Sequence, residues 1–482
     1  MSHLGARRRI GGAVIAALSL TGFVSVAHAA DPVVFSFATV GDSRTDPAAP
    51  DPTTLLGGDN GIELQQDKLW VQNTKAFSRI LRTMQTQKPN LLFFNGDMIY
   101  GYGRAGVPNH WGSNAPTVPQ VVGSDLVSHY TQYAYWRGMV SHMFETNTYV
   151  IPVPGNHETQ CSASATFDAA ATAYQQNPDG SFVLDSNGKK IPTGWLNSTD
   201  GSSNCSTGNG GKNAYVENEQ AFVANMGDLI DDLTANLRFS SVSGVTASNV
   251  SGTTAATAPQ IGTNGGHNGA TAVAITSDQH DLTYSFDIQP PGGGPLLHFA
   301  IINTDPSGAD GIPPTAWLTT DFQAAAGRGA AKFFVFGHKP AFTYNYNQDN
   351  APAVAAGGLD ATVDKTVTPN APTARDAFWS LIAHYNASYY AGHEHTVNVA
   401  QHADPTGVET NKPWQVIVGS GGSPFDDKMT TCCIEPAQRA TTDRYYAWAV
   451  VQVHQSGAVT LAVYGFSDSF GTTQQIATAT LQ

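Results

Sequence analysis

Short apolar runs rich in β-branched and aromatic residues recur along the chain, and most close on glycine. They are "VVFSFATVG" (33–41), "NLLFFNG" (90–96), "NTYVIPVPG" (147–155), "LLHFAIINTD" (296–305), "AKFFVFG" (331–337) and "WQVIVGSGG" (414–422). Runs of this length bounded by turn residues predict buried strands. The ending "YYAWAVVQVHQSGAVTLAVYGF" predicts a hairpin turning at Gln455-Ser456-Gly457. Between the strands, helical spacing takes over. Trp70, Phe77, Ile80, Leu81 and Met84 share one face within 67–87, and a second helix is expected over roughly 372–385. Strands alternating with helices, then late hairpins, predict an α/β fold of two sheets covered by helices.

The stretch from 159 to about 280 breaks this rhythm. It is rich in Gly, Ser, Thr and Asn, as in "NSTDGSSNCSTGNGG", with one helical island at 217–238. It reads as an insertion that decorates the domain, because loops of this length are usually functional or mobile.

Composition adds the compartment. Charged residues make up only 13% of the 482 residues, which suits a loop-rich exported protein. The first 29 residues read as a signal peptide, leaving one domain over 30–482. Arg7, Arg8 and Arg9 precede an apolar stretch from Ile10 to Val26, and Ala27-His28-Ala29 supplies the small-x-small cleavage site. The expected location is secreted or periplasmic, with no membrane span after cleavage. Net charge is -14, so removing three leader arginines takes the mature chain near -17 (-14 minus 3). Such acidity argues against nucleic acid as a partner. The four cysteines, Cys161, Cys205, Cys432 and Cys433, are expected as disulfides in an exported chain; Cys161–Cys205 with a vicinal Cys432–Cys433 is one of three pairings. Oligomeric state is left open.

The chemistry sits where strands end. Five apolar runs finish in glycine followed by ligand-type residues: "GDSR" (41–44), "GDMIY" (96–100), "GNHE" (155–158), "GHKP" (337–340) and "GHEH" (392–395). Glycine lets a backbone turn sharply and approach a site closely. Side chains leaving the carboxyl ends of neighbouring strands converge in one crevice. That convergence would gather Asp42, Asp97, Asn156, His338, His393 and His395. Carboxylate, amide oxygen and imidazole suit divalent or trivalent metals. With Tyr100 there are seven candidate ligands, too many for one ion; two ions sharing Asp97 fit. Singly, each motif has an ordinary explanation as a turn or cap. Five in series do not.

The order Asp, Gly-Asp, Gly-Asn-His-Glu, Gly-His and Gly-His-x-His resembles the calcineurin-like metallophosphoesterase family across most of the mature chain. Gly96 to Tyr100, Gly-Asp-x-x-Tyr, is similar to the purple acid phosphatases within it. The resemblance implies an αββα two-sheet sandwich, here with a Gly/Ser/Thr/Asn-rich insertion, around a binuclear metal centre. By that resemblance Asp97 bridges the metals. Asp42 and His395 would take one ion, and Asn156, His338 and His393 the other. Tyr100 would bind a ferric ion, pairing Fe(III) with Zn, Mn or Fe(II); two Mn or two Zn ions are the alternative. His157 would stay off the metals, near the leaving group, with Glu158 either orienting it or lying at the surface. Arg44 stands where many relatives carry a histidine; it cannot ligate but can bind a phosphate oxygen. Substrate-facing histidines are expected shortly after the His338 motif, but none follows between His338 and His384, where "TYNYNQDN" stands at 343–350, and His110 is the remaining candidate for that role.

The function expected is an exported phosphomonoesterase, with Asp97 and His157 catalytic, Arg44, Asn156 and His157 binding substrate, and a hydroxide between two metals attacking phosphorus. A phosphodiesterase acting on nucleotides, glycerophosphodiesters or sphingomyelin-like lipids is the alternative. A non-catalytic metal-binding surface protein would have lost ligands, and this set is complete.

Overall fold

Two mixed sheets lie face to face, each covered by helices on its outer side. The computed structural model describes residues 31–44, 70–101, 125–162, 212–214, 216–264, 274–306, 311–343, 358–359, 372–423, 445–467 and 469–482. One sheet runs in the spatial order β17 (Gln474–Thr480), β16 (Val459–Ser467), β15 (Tyr445–His454), β1 (Val33–Val40), β2 (Leu91–Asn95) and β3 (Tyr149–Val153). The other runs β13 (Val397–Gln401), β14 (Trp414–Val418), β12 (Ser388–Ala391), β11 (Ala330–Phe336), β10 (Leu296–Ile301), β9 (Tyr284–Ile288) and β6 (Ala247–Ser251). Two small antiparallel ribbons pair β4 (Gln160–Ser162) with β5 (Lys212–Ala214), and β7 (Gln260–Asn264) with β8 (Ala274–Asp278). The helices are α1 (Trp70–Gln87), α2 (Asp125–Glu145), the single turn α3 (Asn156–Thr159), α4 (Val216–Ala235), α5 (Arg238–Ser243), α6 (Thr315–Gly327) and α7 (Ala374–His384).

The sheets are held together by aromatic rings on their inner faces. Phe37 of β1 meets Phe334 at 5.2 Å, Phe336 at 5.6 Å and Tyr390 at 5.5 Å, all edge to face. Phe93 of β2 stacks on Phe336 across the sandwich. Each such pair adds about 0.5–1.5 kcal/mol beyond burial of its area. On the outer face of the first sheet, Phe77 of α1 and Trp136 of α2 both pack on Phe94, at 5.5 and 5.1 Å. On the outer face of the second, Leu318, Phe322, Phe378 and Trp379 from α6 and α7 cover Phe333, Val335 and Tyr389. The result is a helix–sheet–sheet–helix sandwich, the architecture that the resemblance implies.

The parallel strands position the site. β1, β2 and β3 run parallel in one sheet, and β10, β11, β12 and β14 in the other. Loops leaving their carboxyl ends meet at one edge of the sandwich.

Part of the stretch expected as a decorating insertion belongs to the core. Phe222, Met226, Ile230 and Leu233 of α4 are buried in the main hydrophobic cluster, and β6 completes the second sheet by pairing with β9. No helix among the described residues is long and apolar enough to cross a membrane. The leader, His110 and the cysteines at 205, 432 and 433 lie outside the described residues, and of Cys161 only its place in β4 is described.

Candidate metal centre

Asp42 follows β1, Asp97 follows β2 and Asn156 opens α3 after β3. His338 follows β11, and His393 and His395 follow β12. Three of these residues sit in the left-handed backbone region: Asp42 at φ 60°, Asp97 at φ 55° and His393 at φ 69°. A side-chain-bearing residue held there costs roughly 1–3 kcal/mol, so neighbouring contacts must impose it. Those contacts are present. The Asp42 N–H donates to the Gly96 carbonyl at 3.0 Å, and its own carbonyl accepts from Ser423 N–H at 2.8 Å. The His393 N–H donates to both Asp42 carboxylate oxygens, at 3.1 and 2.9 Å.

Glycine is required where these loops touch. A Cβ on Gly392 would stand 2.2 Å from Asp42 Oδ2, and one on Gly96, at φ +81°, would stand 2.6 Å from His338 Nδ1.

The side chains form two groups that meet at Asp97. Ligand atoms of Asp97, His338 and His393 lie within 4.8 Å of one another, and so do those of Asp42, Asp97 and His395. Asn156 joins the first group, its Oδ1 lying 2.8 Å from His338 Nε2 and 2.9 Å from His393 Nδ1. The two histidines of "GHEH" therefore fall in different groups.

Atom-by-atom accounting shows what this cluster demands. His338 Nδ1 lies 2.7 Å from the Asn95 carbonyl, which can only accept, so Nδ1 carries a hydrogen. Its Nε2 then points at Asn156 Oδ1, at Asp97 Oδ1 3.1 Å away and at His393 Nδ1 3.1 Å away. With Asp97 ionised, the Nε2 lone pair and the Asp97 and Asn156 oxygens need a hydrogen or a cation among them. Burial by itself disfavours a charged His338 ring, but the Asp97 carboxylate outweighs it and the pKa rises to about 10. A proton or a metal cation meets the demand, and the oxygen and nitrogen donors suit hard to borderline ions. The backbone-anchored Nδ1 is the arrangement that orients a ligating imidazole.

The two carboxylates differ. Burial and the nearby Asp97 charge push Asp42 up. Asp97 resists its own burial because His338 and Arg44 hold it well below the usual carboxylate range. Asp97 is the anion at the centre of the site.

Beside this cluster, His157 donates its backbone N–H to Asp97 Oδ1 at 3.2 Å, and its ring stands between Arg44 and the Tyr100 carbonyl. The Tyr100 ring centroid is 5.9 Å from that of His157. Burial, against the pull of Asp97, drives the His157 pKa well below its ordinary value.

Three residues support the site in ways that no local sequence pattern announces. Glu158 is fully buried, not at the surface. Its carboxylate accepts the backbone N–H groups of Gly155, Asp97, Met98 and Ile99 at 2.7, 2.9, 2.7 and 3.1 Å. Gln132 of α2 continues the clamp, accepting from Tyr100 and Gly101 N–H at 2.7 and 3.1 Å. Lys339, next to His338, is buried against Asp305 at 2.6 Å and ties that loop to the end of β10.

No family model matches the chain, and no curated protein matches it. Three of the solved structures that match the chain align as follows. The purple acid phosphatase PPD1 from yellow lupin (Lupinus luteus) seeds aligns at TM-score 0.43 and 12% identity, over 92% of this chain and 53% of that one. This chain thus spans about half the length of the lupin protein. A dimetal phosphatase from Danio rerio aligns at 0.41 and 9%, over 93% of this chain and 99% of that one. PhoD aligns at 0.38 and 10%, over 93% and 72%.

Proposed function

We propose that the chain is an exported two-metal phosphoester hydrolase acting on small phosphomonoesters. The observation that carries this reading is the pair of ligand groups meeting at the Asp97 carboxylate. Asp42 and His395 would hold one ion, Asn156, His338 and His393 would hold the other, and Asp97 would serve both. Tyr100 makes iron the favoured occupant of one position, with Zn, Mn or Fe(II) in the second; two Mn or two Zn ions are the other pairing.

Phosphoryl transfer needs an in-line nucleophile and positive charge around the phosphoryl oxygens. Bound metal ions supply both, by activating water and by neutralising charge. The chain's own part would be to hold the ions, bind the phosphoryl group and keep Asp97 ionised. The acidic net charge of -14 favours a small ester over a nucleic acid.

The test is initial rates on an aryl phosphate monoester and the matching diester after metal loading, with Asp97→Asn alongside. A faster monoester, with activity and metal content lost together in the variant, is the expected outcome. A diester preference would move the substrate class to phosphodiesters, leaving the metal reading intact. Hydrolysis of neither ester by metal-loaded protein would overturn the proposal.

A further inference from the structure

Arg44 and His157 form a pair whose donor and acceptor roles follow from their partners. His157 Nδ1 is in hydrogen-bond contact with the Tyr100 carbonyl. A carbonyl only accepts, so Nδ1 carries the ring hydrogen. His157 Nε2 lies 2.9 Å from Arg44 Nη1. A guanidinium only donates, so Nε2 accepts. A ring held this way at both nitrogens has no Nε2 hydrogen to hand to a departing oxygen. The donor hydrogens at this point belong to Arg44.

The pair also stands in the right place. His157 Nε2 is 3.6 Å from Asp97 Oδ2, the carboxylate common to both ligand groups. Both side chains are buried, Arg44 at 9% and His157 at 3% exposure, so a charge there acts with little screening by water. The Arg44 guanidinium also lies 6.0 Å from the Tyr100 ring centroid, against the residue that holds His157 from the other side. The loop bearing Arg44 is fixed by the backbone hydrogen bonds that join Asp42 to Gly96 and to Ser423. Long-range packing alone makes this pair, since the residues are 113 apart in sequence.

We propose that Arg44 binds a terminal phosphoryl oxygen of the substrate, and that His157 is a positioning residue that aims the guanidinium by accepting from it. This rests on the phosphoester reading and deepens it, because Arg44 then sets the preference between esters. A monoester presents three terminal oxygens and up to two negative charges to the planar donor fork of arginine; a diester presents two oxygens and one charge. Arg44 therefore selects phosphomonoesters.

Two measurements test this on the full chain after metal loading. The first is kcat and KM for an aryl monoester and its diester in wild type, Arg44→Gln, Arg44→Lys and His157→Ala, with aryl leaving groups of graded acidity. The second is calorimetric binding of inorganic phosphate by the same proteins, with metal content read in each. Loss of a charged hydrogen bond should lower kcat/KM for the monoester roughly 10- to 100-fold in Arg44→Gln, with a smaller loss for the diester. Phosphate binding should weaken by a similar factor, and Arg44→Lys should recover part of both. His157→Ala should raise KM for the monoester, with a rate loss independent of leaving-group acidity.

Equal losses on both esters with phosphate binding unchanged in Arg44→Gln would overturn the proposal. So would a His157→Ala loss that grows as the leaving group becomes less acidic, which marks a proton donor. If metal-loaded wild type hydrolyses neither ester, the phosphoester reading fails on its own. The phosphate titration still decides the role of Arg44, since undiminished binding by Arg44→Gln excludes it.

Discussion

The Glu158 carboxylate accepts the backbone N–H of Asp97 at 2.9 Å, so one buried acid holds the main chain of the residue at the centre of the site. Three further N–H groups, from Gly155, Met98 and Ile99, end on the same carboxylate. Burial and the Asp97 charge push Glu158 up to about 7, which those four donors oppose. Glu158→Gln replaces one acceptor oxygen by an amide that faces N–H groups. The variant should lose about 1–3 kcal/mol of stability, the cost of buried donors left unsatisfied. Its metal affinity should fall about 10–100-fold, as when a ligand loses its supporting shell. Thermal unfolding and metal titration read the two effects, and wild-type metal affinity in the variant would count against the clamp.

His298 of β10 is buried outside the two ligand groups. Its Nδ1 lies 2.7 Å from Asp287 Oδ1 and its Nε2 lies 2.9 Å from Asp321 Oδ2, while Arg328 Nε reaches Asp287 Oδ2 at 2.7 Å. Burial disfavours a charged ring, but hydrogen bonding to both carboxylates outweighs it and raises the pKa. The raised value means that the stability from His298 is complete below its unfolded pKa of about 6.5, and is lost as pH rises through the folded value. Asp287 works in the opposite sense: despite burial, His298 and Arg328 lower it. Its contribution is present above about pH 4 and lost as pH falls through the folded value. Denaturant midpoints should therefore decline in wild type as pH rises above about 6.5, and His298→Gln should flatten that decline. An unchanged slope in the variant would remove His298 from the account. His298→Ala, leaving two carboxylates buried without their partner, should cost about 3–5 kcal/mol.

The candidate ligands are legible in the sequence because each is announced locally, by glycine and a ligand-type residue at the end of an apolar run. Their supports are not. Glu158 sits inside "GNHE", yet its partners Met98 and Ile99 are about sixty residues away, and no local pattern joins them. The helix α2 is hidden for a different reason. Its buried stripe includes His129 and Gln132, while Tyr130 is 39% exposed, so hydrophobicity does not track burial along it. Helix α1 is legible because Phe77, Ile80, Leu81 and Met84 are both apolar and buried. The edge strand β6 hides in "ASNVS", where only Ala247 is fully buried, and so resembles part of a polar insertion. The hairpin of β15 and β16 stands out because both its strands are long and rich in buried apolar residues.

Gly392→Ala tests the closest approach at the site. Its Cβ would stand 2.2 Å from Asp42 Oδ2 and 2.8 Å from the Asn95 carbonyl. Neither neighbour can yield easily, because Asp42 is held by the His393 N–H and Asn95 lies in β2. The variant should lose about 1–3 kcal/mol from overpacking and release the ion shared by Asp42 and His395. Gly138→Ala is the control: it lies on α2 with nothing within 4 Å of the new Cβ, and should gain about 0.5–1 kcal/mol. Metal analysis with thermal melts separates the two. Full metal content in Gly392→Ala would mean that Asp42 has room to move.

The two ligand groups give substitutions that should separate the two ions. His395 belongs only to the group with Asp42, and His338 only to the group with His393, whereas Asp97 belongs to both. His395→Ala should therefore lose one ion and keep the other, His338→Ala should lose the opposite one, and Asp97→Asn should lose the pair. Elemental analysis after dialysis reads the stoichiometry directly. Chelation of wild type should lower its stability by about 4 kcal/mol for each ion held at a thousandfold excess over its dissociation constant. If Tyr100 ligates iron, wild type should show a visible charge-transfer band, absent in Tyr100→Phe and altered in only one of the two histidine variants. Loss of both ions in either histidine variant would mean that the groups bind as one unit, and a colourless, iron-free active protein would take Tyr100 out of the ligand set.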